Sequence, residues 1–528
     1  MTASVVILAC HSRTVVTRGI LSRGSIRACP PRLTDLGSGC RPDHPCEYLL
    51  GWRGRCGRDG GSKSCWGCDY VSDRVGTFLL LGASGDLSNR LLMPALGELF
   101  DREPQRRDIV LVGAGTEAWT NAQWRERVQS SLSTVSADAA TCQAVLESTC
   151  YVQADVTKAD DLRRLLEVGP PAPAIYFALP PAVTVASCQA LCSVDLPAGT
   201  VLALEKPFGT DADSAATLNR LLAQLVDEDQ VQRVDHFLGR STVLNVLGVR
   251  FANRLFEPLW SNQHIESVTV VYDEQLTLEN RARYYDRAGA LADMIQSHLL
   301  QVMALIAMEP PASVDAVDLR AAKAAVLRAC RPWRDDPVTA SRRARYAAGS
   351  IDGRQVPDYI NEPGVDPARD TETLAEVDLE VENWRWSGVP FRLRSGKALK
   401  KRRKEIVITF KPPPHLPTGL RGDAAPARLR LMMGPDRMAW EMNVNGPEDP
   451  FTLDRITLAS DLSPGRLPAY GEVLCGVLDA DPLLSVRGDT AEQCWRVLEP
   501  MIDAWRRGAV PMDQYPAGSR GPTGWPWA

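Results

Sequence analysis

Thr77-Phe78-Leu79-Leu80-Leu81 runs straight into Gly82-Ala83-Ser84-Gly85-Asp86-Leu87, and a helical pattern then continues to Phe100. An apolar five-residue run, a glycine turn and a helix, in that order, predict the opening unit of a doubly wound α/β (Rossmann) domain. The glycines let a pyrophosphate approach the backbone. The helix start offers free N–H groups and the positive end of the helix dipole. Gly82, Ala83, Ser84, Gly85, Asp86 and Leu87 are therefore candidate cofactor-binding positions, with Arg90 one turn into the helix as an added phosphate contact. The full three-glycine fingerprint is missing, so a plain strand–helix turn stays open.

A second strand is expected over Ile109–Val112, ending in Gly113-Ala114-Gly115-Thr116. In this architecture an acid at that strand end favours NAD and an arginine favours NADP. Ala114, Gly115 and Thr116 supply neither, and Glu117 is the nearest acid, so this segment leaves the cofactor undecided. Two more apolar runs end in breakers, Ile175–Pro181 and Val201–Gly209. Both extend the α/β alternation, whose ligands gather at strand C-termini.

The rest of the composition narrows the class. The chain has 528 residues, 45% apolar and 24% charged, with a formal charge of −5. These are ordinary globular values, and the length suggests several domains. The mild acidity argues against nucleic-acid binding, which usually carries a basic stripe. No apolar run is expected to approach the roughly 18 residues of a membrane span, nor is Val5–Cys10 long enough for a secretory core. A cytoplasmic protein without membrane partners is expected.

Residues 1–74 read differently. They hold seven of the 14 cysteines, 11 Lys/Arg and 6 Asp/Glu, with no sustained helical or strand period. The expectation is a disordered stretch, or one that precedes the natural start of the protein. Cys65-Trp66-Gly67-Cys68, with Cys40, Cys46 and Cys56, leaves a small zinc module open, although a closed site wants a second paired motif. No metal site is expected in the globular part, and its cysteines read as reduced thiols.

Further motifs carry a family resemblance. Gly82–Leu87, Glu205-Lys206-Pro207-Phe208-Gly209 and Arg233-Val234-Asp235-His236-Phe237-Leu238-Gly239-Arg240 occur in that order. Val249–Arg254, Glu257–Trp260, Arg394–Leu399 and Gly518–Thr523 follow. The ordered set resembles the glucose-6-phosphate dehydrogenase family over nearly all of residues 76–525. The resemblance implies a dinucleotide-binding domain over 75–234 and a substrate-binding and dimerisation domain over 235–528. The second is an α+β domain built on a large, mainly antiparallel sheet, with the site in the cleft between the two. A homodimer or homotetramer is implied.

The same resemblance assigns roles. His298, on a helical stretch over Ala290–Met308, matches the family's general base, and Asp235 matches the carboxylate that orients it. From its apolar neighbours alone, His298 would read as a core histidine. His236 and Arg240 match the phosphate-binding segment. There the family usually has Tyr-Leu-Gly-Lys after the histidine, so Phe237 lacks a hydroxyl and Arg240 replaces a lysine with a different reach. Glu274, after a strand over Ile265–Tyr272, and Asp293 match residues that accept from sugar hydroxyls. Lys206 matches a lysine between cofactor and substrate, and Lys397 and Arg402 match a further pair near the sugar. Arg342–Asp370 reads as a long surface connection.

The implied activity is oxidation of D-glucose 6-phosphate to 6-phospho-D-glucono-1,5-lactone with NADP⁺, the first step of the oxidative pentose phosphate pathway. One rival is an NAD-linked or relaxed-specificity dehydrogenase of a related aldose or aldose phosphate. The other is a catalytically silent nucleotide-binding paralogue.

Overall fold

Thr77–Leu81 forms strand β1, buried along its whole length. A fully apolar strand needs cover on both faces, which is the setting of a parallel α/β sheet. A computed structural model describes residues 75–279 and 281–525. The expected disorder or zinc module of residues 1–74 lies outside the described residues. Five more strands follow: β2 (Val110–Gly115), β3 (Cys150–Gln153), β4 (Pro173–Phe177), β5 (Val201–Glu205) and β6 (Val231–Val234). They pair in parallel in the order β3-β2-β1-β4-β5-β6. The order reverses between β1 and its two neighbours, and this switch point opens a crevice at the strand C-termini.

Strand β2 runs three residues past the expected Val112, through Gly113, Ala114 and Gly115. The small residues mark close approach, not an ending. A Cβ on Gly113 would stand 2.6 Å from the ring of Trp124, which is wholly buried and donates from Nε1 to Thr149 Oγ1 at 2.8 Å.

The second sheet gathers β7 (Ile265–Asp273), β8 (Cys330–Pro332), β9 (Ser341–Ala347), β12 (Leu374–Val381), β13 (Phe391–Gly396), β14 (Arg403–Phe410), β15 (Arg428–Met433), β16 (Asp436–Asn445), β17 (Leu453–Asp461) and β18 (Met512–Pro516). A separate hairpin, β10 (Gly349–Ile351) with β11 (Arg354–Val356), stands beside it. The strand order is β17-β16-β15-β14-β7-β13-β12-β9-β18, with β8 also paired to β12. Pairing is antiparallel except for β13 on β7 and β18 on β9. The expected α/β plus mainly antiparallel α+β architecture is what forms.

The Arg342–Asp370 connection is corrected by the structure. Its start lies in β9, a strand of the main sheet, and β10 and β11 follow. The arginines that made it look like a surface loop are neutralised in place. Arg342 Nη1 meets Glu376 Oε1 at 2.6 Å, and Arg343 Nη1 meets Asp370 Oδ2 at 3.0 Å.

The stretch Ala282–Ala307 is apolar and long enough to cross a membrane, yet 83% of its most apolar window is buried inside the protein. It is an interior helix, with Ile295, Leu299, Val302 and Leu305 in the main core cluster. Burying each such side chain contributes roughly 1.5–3 kcal/mol. Its middle, Leu291–Leu299, is wound as a π-helix between α-helical Ala282–Ala290 and Leu300–Ala307. The regular α-helical face expected around His298 is therefore interrupted. Wider π turns of this kind cluster at functional sites. Gly289, at φ +66°, precedes the turn, and a Cβ there would lie 2.3 Å from Glu372 Oε1. That carboxylate reaches in to accept from Leu291 N at 2.9 Å, and its burial raises its pKa to about 7.

The C-terminal segment returns to the first sheet. Leu474, Val477 and Leu478 share a core cluster with Phe78, Leu80 and Leu99.

Candidate active site

Strand ends supply most of the site. Lys206 follows β5, Asp235 and His236 follow β6, Glu274 follows β7, and Lys397 follows β13. The parallel register that sets Gly396 opposite Asp273 brings Lys397 beside Glu274.

Asp235 and His298, 63 residues apart in sequence, meet through a short Nδ1···Oδ1 hydrogen bond and are each 1% exposed. Asp235 Oδ1 also accepts from Phe237 N at 3.0 Å. Burial pushes the Asp235 carboxyl up, but the two neighbouring imidazoles and that N–H outweigh it and hold it below the ordinary aspartate range. Burial also holds His298 below the usual imidazole value against the pull of Asp235. An ionised carboxylate on Nδ1 selects the Nδ1–H tautomer and leaves the Nε2 lone pair available to a proton.

Aromatic contacts fix the ring. Phe237 stacks on His298 at 4.2 Å and 12°, and His236 meets it edge-on at 4.7 Å. His236 in turn stacks on Tyr470 at 5.2 Å. Burial, then the neighbouring His298, drive His236 well below its usual pKa, so it is a neutral donor or acceptor. Asp235, His236 and His298 bring one ligand-type atom each within 4.8 Å of one another. The Asp235–His298 bond already occupies two of the atoms a cation would need.

Lys206 donates to Asp293 Oδ1 at 2.8 Å and to its carbonyl at 2.6 Å. Tyr284 donates to the same Oδ1 at 3.1 Å. Burial raises Asp293, but Lys206 overcomes it and holds the carboxyl far below the ordinary range. On the other side, Lys397 Nζ lies 2.9 Å from Glu274 Oε2 and Lys404 Nζ 3.5 Å from Oε1.

Two residues here were not anticipated, Tyr272 and Lys404. The antiparallel register of β14 on β7 puts Lys404 directly opposite Tyr272. Its ammonium donates to the Tyr272 hydroxyl and lies 3.8 Å from the ring centroid. Burial, with Arg402 and Arg240 opposing Glu274, lowers Lys404 to about 8. The Tyr272 ring is 5.1 Å from Phe237, and the Arg240 guanidinium lies over Phe237 at 5.0 Å. Arg240 Nη1 donates to Met433 O at 3.3 Å, while its Nε is buried without a partner. Arg402 is exposed, and its Nη2 lies 3.9 Å from a Cβ built on the adjoining Gly434. Lys404 thus donates to a phenol hydroxyl on which Arg240 and Arg402 also act electrostatically. Alternation along β14 could have shown Lys404 pointing inward; nothing in the sequence paired it with Tyr272.

Glu205, the last residue of β5, is a further unanticipated group. It accepts from Tyr176 OH at 2.6 Å. Burial lifts it to about 7 against the hydrogen bonds of Tyr176 and Tyr470. It therefore links the β5 end to the ring under His236.

At the first sheet, Gly82 and Ala83 donate to Ala114 O at 2.9 and 3.0 Å. Gly82 has φ +82°, and a Cβ there would sit 2.3 Å from Ala178 O. The turn therefore requires glycine, and Ser84 to Leu87 lead from the switch point into the helical segment Ser88–Leu92 and Met93–Arg102. Among the described residues, the Arg90 side chain reaches Ser84 to Leu87 through Asp86 alone. Its side chain is 72% exposed, with Asp86 as its ion-pair partner at 3.3 Å.

A glycine turn at the switch point of a parallel sheet, with a buried carboxylate–imidazole pair and a ring of cations beyond it, defines a nicotinamide-dinucleotide oxidoreductase. The comparisons narrow this. A family model described as "Glucose-6-phosphate dehydrogenase, NAD binding domain" matches residues 79–245, and one described as "Glucose-6-phosphate dehydrogenase, C-terminal domain" matches 247–525. The glucose-6-phosphate 1-dehydrogenase of Gluconobacter oxydans is 38% identical over 467 residues, covering 84% of this chain and 94% of the relative. The crystal structure of the Mycobacterium avium glucose-6-phosphate 1-dehydrogenase superposes with TM-score 0.73 at 30% identity, covering 85% of this chain and 95% of that one. A glucose-6-phosphate dehydrogenase in complex with its substrate, glucose 6-phosphate, superposes with TM-score 0.76 at 29% identity, covering 85% and 96%. The chain belongs to the glucose-6-phosphate dehydrogenase family.

Proposed function

We propose that the protein oxidises D-glucose 6-phosphate to 6-phospho-D-glucono-1,5-lactone, with His298 as the base. The observation that carries the reading is the buried Asp235–His298 pair, whose tautomer leaves Nε2 free. Nε2 takes the proton of the C1 hydroxyl, the C1–O bond becomes a carbonyl, and the hydrogen on C1 departs as hydride. Asp235 stabilises the imidazolium formed and returns the ring to the same tautomer once the proton passes to water. The dinucleotide, when bound, supplies the nicotinamide that accepts the hydride.

Gly82 to Leu87 hold the pyrophosphate in this reading, and Lys206 lies between cofactor and sugar. Glu274 and Asp293 accept from sugar hydroxyls, each kept ionised by a lysine. The 6-phosphate goes to His236, Arg240 and Arg402, with Lys397 beside them. Tyr272 supplies the hydroxyl that Phe237 lacks, and Lys404 adds a cation. Residues 75–234 are the dinucleotide domain and 235–528 the substrate and dimerisation domain. Family resemblance favours NADP⁺ as acceptor, residence in the cytoplasm and a homodimer or homotetramer. The residues at the end of β2 weigh against NADP⁺.

The test is a reduced-cofactor absorbance assay on glucose 6-phosphate with wild type and His298→Asn. The variant should lose at least ~10² in kcat with little change in KM, because only proton transfer is removed. Near-normal turnover would remove His298 from the role.

A further inference from the structure

We infer that Glu117 makes the enzyme select NAD⁺ over NADP⁺, by accepting from the ribose diol of the adenosine and repelling a 2′-phosphate. The inference rests on the dinucleotide-binding part of the proposed function and not on the identity of the sugar.

Glu117 lies two residues beyond β2, at the strand end where this fold receives the adenosine ribose. Its side chain folds back over that end. A Cβ built on Gly115 would stand 2.7 Å from Glu117 Oε2 and 2.9 Å from the Tyr151 hydroxyl. Any larger residue at 115 would displace the carboxylate. Ser84, inside the glycine turn, donates from Oγ to Glu117 Oε1 at 2.8 Å. The Tyr151 hydroxyl donates to the Glu117 carbonyl at 3.0 Å. The acid is therefore tied to the turn that would carry the pyrophosphate.

One oxygen is left over. Glu117 Oε2 is buried and accepts no hydrogen bond of ordinary geometry; the Tyr151 hydroxyl stands beside the carboxylate, but its proton goes to the Glu117 carbonyl. Among the described residues no Lys, Arg or His pairs with Glu117 within 4.0 Å. A buried carboxylate oxygen without a donor is costly. A vicinal diol offers the donors it lacks, whereas a phosphate dianion offers none and adds like charge. The 2′-phosphate therefore does not fit these residues, while the rest of the dinucleotide does.

Arg127 is the cation that could argue the other way. Its Nη2 donates to Ser84 O at 2.7 Å, its guanidinium lies over Trp119 at 5.3 Å, and its Nε is buried without a partner. It is thus tied to the turn's backbone and to an aromatic face. That arrangement suits the flat side of an adenine as well as it suits a phosphate.

Binding of NADH and NADPH to the full-length protein, followed by nicotinamide fluorescence without sugar, reads the choice directly. Wild type should bind NADH at least tenfold more tightly than NADPH. Glu117→Gln keeps the hydrogen bond from Ser84 but removes the charge. It should raise NADPH affinity at least tenfold and lower NADH affinity severalfold. Arg127→Ala should weaken both reduced cofactors alike. Tighter NADPH binding by wild type, or Glu117→Gln leaving the ratio unchanged, would overturn the inference. So would an Arg127→Ala loss confined to NADPH. If the NADH preference holds but glucose 6-phosphate is not oxidised, the sugar assignment fails and this inference stands. If neither cofactor binds, both fail.

Discussion

The proposed nucleotide end and the proposed sugar end of the site are built from different materials. At the nucleotide end, backbone does the work: Gly82 at φ +82° and the Gly82 and Ala83 amides on Ala114 O. At the sugar end, charged side chains from distant segments neutralise one another, Lys206 with Asp293 and Lys397 and Lys404 with Glu274, while the Asp235 carboxylate is held by the neutral imidazole of His298. A backbone cradle tolerates side-chain change around it. A set of buried pairs does not, since removing one charge strands the other. Changes at the sugar end should therefore cost most, and changes at the exposed rim of the nucleotide end least.

The sharpest break of that contrast is Asp235→Asn. An amide cannot act as an ionised acceptor for Nδ1–H, so the imidazole loses its enforced tautomer and the charge that stabilises its protonated form. We expect kcat to fall by at least ~10², with KM for the sugar phosphate changed far less. Steady-state rates under saturating cofactor measure this. A loss confined to KM would place Asp235 in binding and not in proton transfer.

Asp293→Asn comes next, read as stability without substrate. The Lys206 and Asp293 side chains are only 15% and 12% exposed, and breaking such a pair typically costs about 3–5 kcal/mol. The folded pKa of Asp293 lies below its unfolded value. The pair's contribution is therefore complete above roughly pH 4 and is lost as the pH falls below it. Chemical denaturation at neutral pH should show the full gap between wild type and variant, and the gap should narrow under acid conditions. A constant gap down to pH 3 would mean that charge pairing is not its source.

The contrast also explains what the amino-acid order could disclose. The glycine turn was legible because a positive φ and a close carbonyl leave glycine as the natural residue, and the run before it is apolar throughout. Glu274, Asp293 and His298 were legible only through resemblance to a family. Nothing local joins Asp235 to a residue 63 positions away. The π-wound segment Leu291–Leu299 has no composition of its own, and Glu372, which caps it, arrives from another chain segment. Strand β9 was missed because Arg342 and Arg343 look solvated until Glu376 and Asp370 are placed beside them. Tyr272 and Lys404 depend on the register of two strands more than 130 residues apart, and register is a tertiary fact.

Lys404 gives a graded test within the sugar end. Burial and the nearby Arg402 and Arg240 lower it to about 8, while Glu274 holds its proton and the Tyr272 hydroxyl accepts from it. A depressed lysine is charged below its pKa and neutral above it. KM for glucose 6-phosphate should therefore rise as the pH climbs past 8, beyond any change seen with unphosphorylated glucose. Lys404→Met should raise KM about tenfold at pH 7 and flatten that rise. Lys404→Arg should restore the affinity with the upturn moved to higher pH, because guanidinium keeps its proton. A purely structural lysine would change stability without reshaping the profile.

Arg90 marks the lower limit. It was expected to touch a phosphate, yet its side chain is 72% exposed and its partner Asp86 is 76% exposed. An ion pair between two solvated side chains one helical turn apart is worth little, and salt screens it further. In the proposed reading the pyrophosphate lies against the glycine turn, whose backbone remains when the side chain is gone. Arg90→Ala should leave KM for the dinucleotide within about twofold and the melting temperature nearly unchanged. Raising the salt concentration should not separate the variant from wild type. A tenfold weaker dinucleotide would show that Arg90 swings inward when the cofactor arrives, and phosphate binding, like the ribose selection inferred for Glu117, would then rely on side-chain charge.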